Sequence, residues 1–269
     1  MMLRPPFRYW GSKARMASWV VERLPTHRHY IEACAGSAAI MAAKEPVQAE
    51  TLNDIYGEVV NFFRVLQCEA TAAKLIDRVA CTPYALREFR DALDLPDTAS
   101  ATARAYAFVV RMQMAVVPGR TGWSYSANAA VVHKANKPGR WAAMPELLQR
   151  TAQRFARVQV TDWDVCDLIK RMDAPGVLIL IDPPYIGEVR PKSVGALSGY
   201  VEDEIDHESV IAAVLNARRA SFAITHYPHP LYDHAGFAIA GDYCSYRDVP
   251  NGGYREQKIE RLYVLDRQS

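Results

Sequence analysis

The sequence predicts an α/β fold built on a doubly wound, mostly parallel sheet. Three observations predict it. Leu178-Ile179-Leu180-Ile181 is an unbroken apolar run, the pattern of a strand buried on both faces. The run stops at Asp182-Pro183-Pro184-Tyr185. Two adjacent prolines cannot extend a strand ladder, and they stiffen the backbone that carries their neighbours. On either side of this stretch, short strands alternate with helical patterns, as in βαβ units. Asp182 and Tyr185 are therefore expected on a rigid loop at the carboxyl end of a central strand, the edge at which open α/β sheets bind ligands.

Taken from the amino terminus, Phe7-Arg8-Tyr9-Trp10-Gly11-Ser12-Lys13 leads into a helix. Ser12 is the expected N-cap, and Met16, Trp19, Val20 and Leu24 give an apolar stripe. A lysine at a helix start opposes the dipole, so Lys13 is expected to meet an anion such as a carboxylate. Tyr30-Ile31-Glu32 is a short strand that ends in the small residues Ala33-Cys34-Ala35-Gly36-Ser37-Ala38 before an alanine-rich helix. Small residues let a ligand approach the backbone, and a helix start receives negative groups. A second strand over residues 49–54 ends at Asp54, and a helix over residues 55–67 follows. An acid there is placed to bond ribose hydroxyls, to cap the helix, or to do both with different oxygens.

From about residue 71 the pattern turns helical, over residues 74–79, 83–93 and 101–117. Residues 118–125 read as a turn or hairpin with exposed aromatics, 128–140 as a basic loop, and Pro145 opens a further helix to about residue 155. Residues 71–155 are thus expected to be an insertion between the two halves of a sheet domain formed by residues 1–70 and 156–269. Alternation then resumes with a strand over residues 158–161, Asp162-Trp163, a short helix over 165–171, and the apolar strand. Residues 188–204 are a candidate mobile loop over the site. Asp206 is expected to cap a helix running to residue 219. Strands over 221–225, 237–246 and 258–265 close the sheet, the last two as an antiparallel pair. His226 and His229 are expected to be structural, since no metal-type cluster accompanies them and no metal is expected.

The 269 residues carry a net charge of only +2, which conceals an asymmetry. No acid lies between Asp97 and Glu146, while Arg104, Arg111, Arg120, Lys134, Lys137 and Arg140 do, so the rest of the chain is at −4. A cationic segment on a mildly anionic body points to a local polyanion contact. Five scattered cysteines without pairing motifs, no visible signal peptide and no apolar run long enough for a bilayer lead us to expect a cytoplasmic protein with free thiols and no membrane partner.

Asp182-Pro183-Pro184-Tyr185 resembles the Asp-Pro-Pro-Tyr motif of S-adenosylmethionine-dependent amino methyltransferases. With Tyr9-Trp10-Gly11-Ser12-Lys13, Ile31-Glu32-Ala33-Cys34-Ala35-Gly36-Ser37 and Asn53-Asp54 ahead of it, the chain resembles the Dam-like, D12-class adenine-N6 DNA methyltransferases in their α-type motif order. The resemblance covers nearly the whole chain and is weakest in the insertion. It implies a seven-stranded Rossmann-like sheet, S-adenosylmethionine as cofactor and double-stranded DNA as partner, for a monomer or homodimer of a phage or of an orphan or restriction-linked bacterial system.

Carried over by position, Tyr9, Trp10 and Lys13 contact the cofactor. The turn of Glu32, Ala33, Gly36 and Ser37 cradles its methionine part, Asp54 holds the ribose, and Asp162 and Trp163 flank the adenine. Asp182, which also borders the cofactor, accepts hydrogen bonds from the target amine together with Pro183, and Tyr185 stacks on the extruded base. Arg111, Arg120, Lys134, Lys137 and Arg140 meet phosphates, and Arg120 with Trp123, Ser124 and Tyr125 reads base edges. The chain departs from the family pattern at Ala33-Cys34, where Pro-Phe is usual, and at Ala38 and Ser12, where glycine is usual. Cytosine N4, RNA adenine and a non-catalytic DNA-binding role are the competing readings.

Overall fold

The computed structural model describes residues 3–125, 136–186, 205–248 and 255–267. The sheet has seven strands: β1 (His29–Glu32), β2 (Ala49–Asn53), β3 (Gln159–Thr161), β4 (Val177–Ile181), β5 (Ser221–His226), β6 (Ala238–Asp248) and β7 (Arg255–Leu265). Their spatial order is β3-β2-β1-β4-β5-β7-β6. All neighbours from β3 to β5 pair in parallel, and β7 runs antiparallel to both β5 and β6. The order reverses between β1 and β4. The two chain segments that leave the carboxyl ends of these strands diverge there and open the crevice in which such sheets bind ligands.

The apolar β4 feeds two cores by simple alternation. Leu178 and Leu180 point into one cluster, and Val177, Ile179 and Ile181 into the other. The first cluster is covered by α1 (Ala17–Val21), α2 (Ala39–Ala43), α3 (Gly57–Gln67) and the segment after it. That segment comprises α4 (Glu69–Cys81), α5 (Leu86–Leu93), α6 (Ala101–Met114), α7 (Lys137–Ala142) and α8 (Met144–Phe155). Phe62 and Phe108 pack edge-to-face on Phe7, with ring centroids 4.9 Å from it in each case, so α6 shares a core with α3 and the amino-terminal segment. The second cluster lies under α9 (Val165–Met172), α10 (His207–Asn216) and α11 (Pro230–Asp233).

Several boundaries differ from expectation for identifiable reasons. Ser12 does not cap a long helix. The chain makes a 3-10 turn over Lys13–Arg15, then the five-residue α1, and the Ser12 hydroxyl instead meets the Ser37 hydroxyl at 3.0 Å. α6 ends at Met114 because Ala115 turns extended and pairs with Trp123 in an isolated antiparallel bridge, all that the expected hairpin amounts to. α10 stops at Asn216 rather than residue 219: the Asp173 carboxylate accepts the amides of Arg218, Arg219 and Ala220 and leads the chain into β5. Asp206 caps α10 as expected, accepting the Ser209 amide at 3.1 Å. The candidate mobile loop over 188–204 lies outside the described residues.

Candidate active site

Asp182 is the first residue after β4. Its Oδ1 accepts the Thr225 hydroxyl from β5 at 2.7 Å, and its Oδ2 accepts Lys13 Nζ at 2.7 Å. Lys13 also donates to the Gly11 carbonyl at 2.9 Å and lies 3.6 Å from Glu260 of β7. The anion expected opposite Lys13 is therefore Asp182 of this chain. Burial pushes the Asp182 carboxyl above the usual carboxylate range, and Lys13 and Thr225 hold it down against that push.

Tyr185 is fixed from three sides. Its hydroxyl donates to Glu260 at 2.7 Å, and its ring packs edge-on against His226 and Tyr227, with centroids 4.8 and 4.6 Å away. Burial and the Asp182 and Glu260 charges raise the Tyr185 hydroxyl, so it stays a donor. His226 is fully buried, and burial lowers it to about 4, so the ring is neutral at physiological pH. Its Nε2 accepts the Ile186 amide at 3.3 Å. The proton therefore sits on Nδ1, which donates to the Tyr227 carbonyl at 2.8 Å. His226 is structural, as expected, and what it holds is the backbone just after Tyr185.

Across the crevice, the small-residue turn follows β1. Gly36 has φ +48°, in the region that favours glycine, and a Cβ built on it would lie 2.7 Å from the Tyr9 ring. Its amide donates to Asp54 Oδ2 at 2.7 Å, while Asp54 Oδ1 accepts the Tyr56 amide at 2.8 Å. Asp54 thus holds the Tyr56 amide just ahead of α3 with one oxygen and the Gly36 turn with the other, and α3 itself, whose N-cap is Tyr56, has no side-chain cap. Burial raises its carboxyl to about 6. Ala38 is the one non-glycine residue with positive φ (49°) among the described residues, so the alanine at a position usually glycine is held in a left-handed conformation. The helix after it is only five residues long.

Asn53 organises this end of the sheet. Its amide group donates to the carbonyls of Ala33 and Trp163, at 2.9 Å each. Its oxygen accepts the Thr161 hydroxyl at 2.8 Å and the Trp163 amide at 2.9 Å. One buried side chain thereby ties together the carboxyl ends of β1, β2 and β3 and places Trp163, whose ring carries the Arg171 guanidinium at 4.9 Å. Asp162 is exposed.

Glu32, at the end of β1, is buried and accepts the Tyr30 hydroxyl at 3.0 Å and the Met41 amide. Burial raises it to about 8. In the unfolded chain it titrates near the ordinary ~4.3. Between these values the native state holds the extra proton, so stability falls as pH rises through about 8. Glu32→Gln is expected to remove that slope, so that its gain over the wild-type protein is larger at pH 9 than at pH 5 in urea midpoints. Equal changes at both pH values would contradict a protonated Glu32.

The structure thus brings Tyr9, Lys13, Glu32, Gly36, Ser37, Asp54, Asp182 and Tyr185 to one edge. Several of the residues expected to meet DNA are engaged within the chain. Ser124 is buried and its carbonyl accepts the Tyr84 hydroxyl, so its side chain does not reach outward. Arg111 and Arg104 lie 4.0 and 3.6 Å from Glu58 of α3, which offsets part of the segment's charge. Trp123 is half-buried and stacks on the exposed Tyr125, with centroids 5.7 Å apart. The Arg120 guanidinium lies 5.7 Å from the Trp10 ring centre. Lys137 donates to the Tyr125 carbonyl and Arg140 is exposed. Lys134 lies outside the described residues. Glu260 and Thr225 are the site residues that sequence reasoning missed, and Asn53 figures there only as part of the Asn53-Asp54 motif. Among the described residues, no helix is long and apolar enough to cross a membrane and no cluster fits a metal ion.

The chain is similar in structure to a putative methyltransferase from Escherichia coli, at 11% identity over 97% of this chain and 90% of the other, with a TM-score of 0.37. It is also similar to an rRNA methyltransferase from Streptomyces viridochromogenes, at 11% identity over 97% and 87%, with a TM-score of 0.40. Likeness at this level carries no argument. Comparison of the sequence with curated proteins finds no match. The family model for D12 class N6 adenine-specific DNA methyltransferases matches residues 9–229. That span runs from Tyr9 through the Asp182 loop to His229, and the chain belongs to this S-adenosylmethionine-dependent family.

Proposed function

We propose that this protein transfers a methyl group from S-adenosylmethionine to the N6 amine of adenine within a specific double-stranded DNA sequence. Residues 71–155 would serve as the target-recognition part, with the adenine extruded into the site. The observation that carries the reading is the Asp182 loop set at the β1/β4 reversal, directly opposite the Gly36 turn. The crevice residues suit the cofactor. Gly36 leaves no room for a Cβ, Ser37 and the Glu32 turn line the same edge, and Asp54 and Trp163 stand just beyond the ends of β2 and β3. When bound, S-adenosylmethionine supplies an electrophilic methyl group on a sulfonium centre.

The chain's own residues account for the rest. The lone pair of an aromatic amine is delocalised into its ring, which makes the amine a poor nucleophile. Asp182 and the Pro183 carbonyl accept its hydrogens and favour a tetrahedral nitrogen whose lone pair is free. The two prolines fix those acceptors in advance. Tyr185, held by Glu260 and His226, offers a ring that replaces part of the stacking an extruded base loses. Arg120, Lys137 and Arg140 would meet phosphates.

The test is to incubate the enzyme with S-adenosylmethionine and genomic DNA, digest the product to nucleosides and identify the modified one by mass. N6-methyladenine is expected. A different methylated base, or transfer only to RNA, would overturn the reading. A second expected outcome concerns the cradle. Gly36→Ala forces alanine into a left-handed conformation that costs about 1–2 kcal/mol and drives its Cβ into Tyr9. Binding of S-adenosylmethionine by calorimetry is expected to weaken roughly tenfold or more.

A further inference from the structure

Glu260 lies outside the family match, on β7, yet it touches Lys13, which bonds Asp182, and Tyr185 of the Asp182 loop. β7 pairs with β5 as far as His226 opposite Arg261, so Glu260 is the first residue beyond the carboxyl end of β5. Its Oε2 accepts the Tyr185 hydroxyl at 2.7 Å and lies 3.6 Å from Lys13 Nζ. Lys13 is 5% exposed and stands between two carboxylates, Asp182 at 2.7 Å and Glu260 at 3.6 Å.

Charge counting shows what the second carboxylate can do. Asp182 and Lys13 alone sum to zero, and Lys13 occupies the Asp182 oxygen that faces it. A neutral, mutually satisfied pair is a poor acceptor for an amine that becomes positive as it takes a methyl group and neutral again only when its proton leaves to solvent. Glu260 leaves the trio with one net negative charge. It also offers Lys13 an alternative partner about 1 Å further away than its present one.

Building on the methyl-transfer reading above, we propose that Glu260 is a positioning residue for the reaction. It shares Lys13 with Asp182, so that Asp182 Oδ2 becomes available to the target amine, and it anchors the Tyr185 ring by its hydroxyl. The groups that face Asp182 are Lys13 from the 3-10 turn, Glu260 from β7, Thr225 from β5, Glu32 and Cys34 from the β1 end, Tyr185 from its own loop, and Tyr232 from α11. Of these, Glu260 and Lys13 are the ones whose charges act directly on its titration, and Glu260 raises it.

Glu260→Gln tests this, because the amide oxygen still accepts the Tyr185 hydroxyl while the charge is gone. In the ligand-free protein, the Asp182 carboxyl followed by 13C NMR is expected to titrate at lower pH than in wild type. In the assay, kcat is expected to fall roughly 10–100-fold. The acidic limb of its pH profile should move to lower pH, with KM for DNA within about threefold of wild type. Tyr185→Phe, which keeps the charge, should leave the Asp182 midpoint where it is. A folded E260Q with wild-type midpoint and wild-type kcat would overturn the proposal. So would wild-type kcat in E260D, which keeps the charge but withdraws it and serves if E260Q does not fold. Failure of the methyl-transfer reading looks different: wild-type protein would transfer nothing to DNA while the Asp182 midpoint still moved in E260Q.

Discussion

Replacing Asp182 with alanine is expected to lower methyl transfer about 10³-fold while cofactor binding survives. The carboxylate sits at the end of β4 with both oxygens engaged, one by Thr225 and the other by Lys13, at 2.7 Å each. Those bonds aim it, and on the proposal above the amine takes Oδ2 as Lys13 is shared with Glu260. Alanine removes the acceptor for the amine hydrogens. The Gly36 turn, Asp54 and Asn53 are held by backbone and by each other, so the cofactor side of the crevice should stay intact. Asp182→Asn keeps the shape and one acceptor oxygen, but it turns an N–H₂ toward either Lys13 or the amine and should lose about 10²-fold. The measurements are tritiated methyl transfer to DNA and calorimetry with S-adenosylmethionine. If cofactor affinity fell in step with transfer, Asp182 would belong to the donor pocket and not to the amine acceptor. Because burial raises the Asp182 carboxyl and the charged form is the acceptor, wild-type activity should decline as pH falls through its midpoint.

How far the sequence reveals this site depends on how local each interaction is. β4 and its loop are legible because five consecutive buried residues followed by two prolines admit few other structures. The Gly36 turn and Asp54 are legible as strand ends, though the sequence leaves open which role Asp54 plays and the structure gives it two backbone partners at once. Glu260 and Thr225 carry no local signal. Thr225, 43 positions away, reaches Asp182 because β5 lies parallel to β4 with Ile224 opposite Ile181, and Glu260, 78 positions away, because β7 returns antiparallel beside β5. The acid-free segment is misleading for the opposite reason. A gap in sequence is not a gap in space, and Glu58, from α3, sits against Arg104 and Arg111. Trp123 and Ser124 read as exposed because they follow a Gly-rich turn. The bridge to Ala115 and the Tyr84 hydroxyl fold them inward.

Arg154→Ala is expected to be the most destabilising single change, at about 3–5 kcal/mol in urea unfolding. Arg154, in the last turn of α8, is 12% exposed and grips Glu50 of β2 with both terminal nitrogens, at 2.6 and 2.9 Å. One of these also donates to the Met41 carbonyl at 2.8 Å, so the guanidinium ties the end of α8 to β2 and to α2. Glu50 and Lys44 are each 5% exposed, and Lys44 Nζ stands 3.4 Å from Glu50. Removing Arg154 leaves Glu50 buried with a single, longer partner and strips a donor from the end of α2. The cost arises from what is left behind more than from what the pair contributes, since desolvating two charges consumes most of their attraction. A double-mutant cycle separates these. Arg154→Met with Glu50→Gln should cost clearly less than the sum of the two single changes, because Glu50 is then not left as a buried charge without its guanidinium, while the loss of the Lys44 partner is common to the Glu50→Gln single and the double change and cancels in the cycle. Strict additivity would mean that the pair is not coupled. Arg154→Lys should recover only part of the loss, because an ammonium cannot match the two-pronged fit to Glu50 while also reaching the Met41 carbonyl. The same linkage bears on the site. β2 starts at the Arg154 clamp and ends at Asn53 and Asp54. A protein that survives Arg154→Lys should therefore bind S-adenosylmethionine normally at low temperature and lose that binding at a lower temperature than wild type.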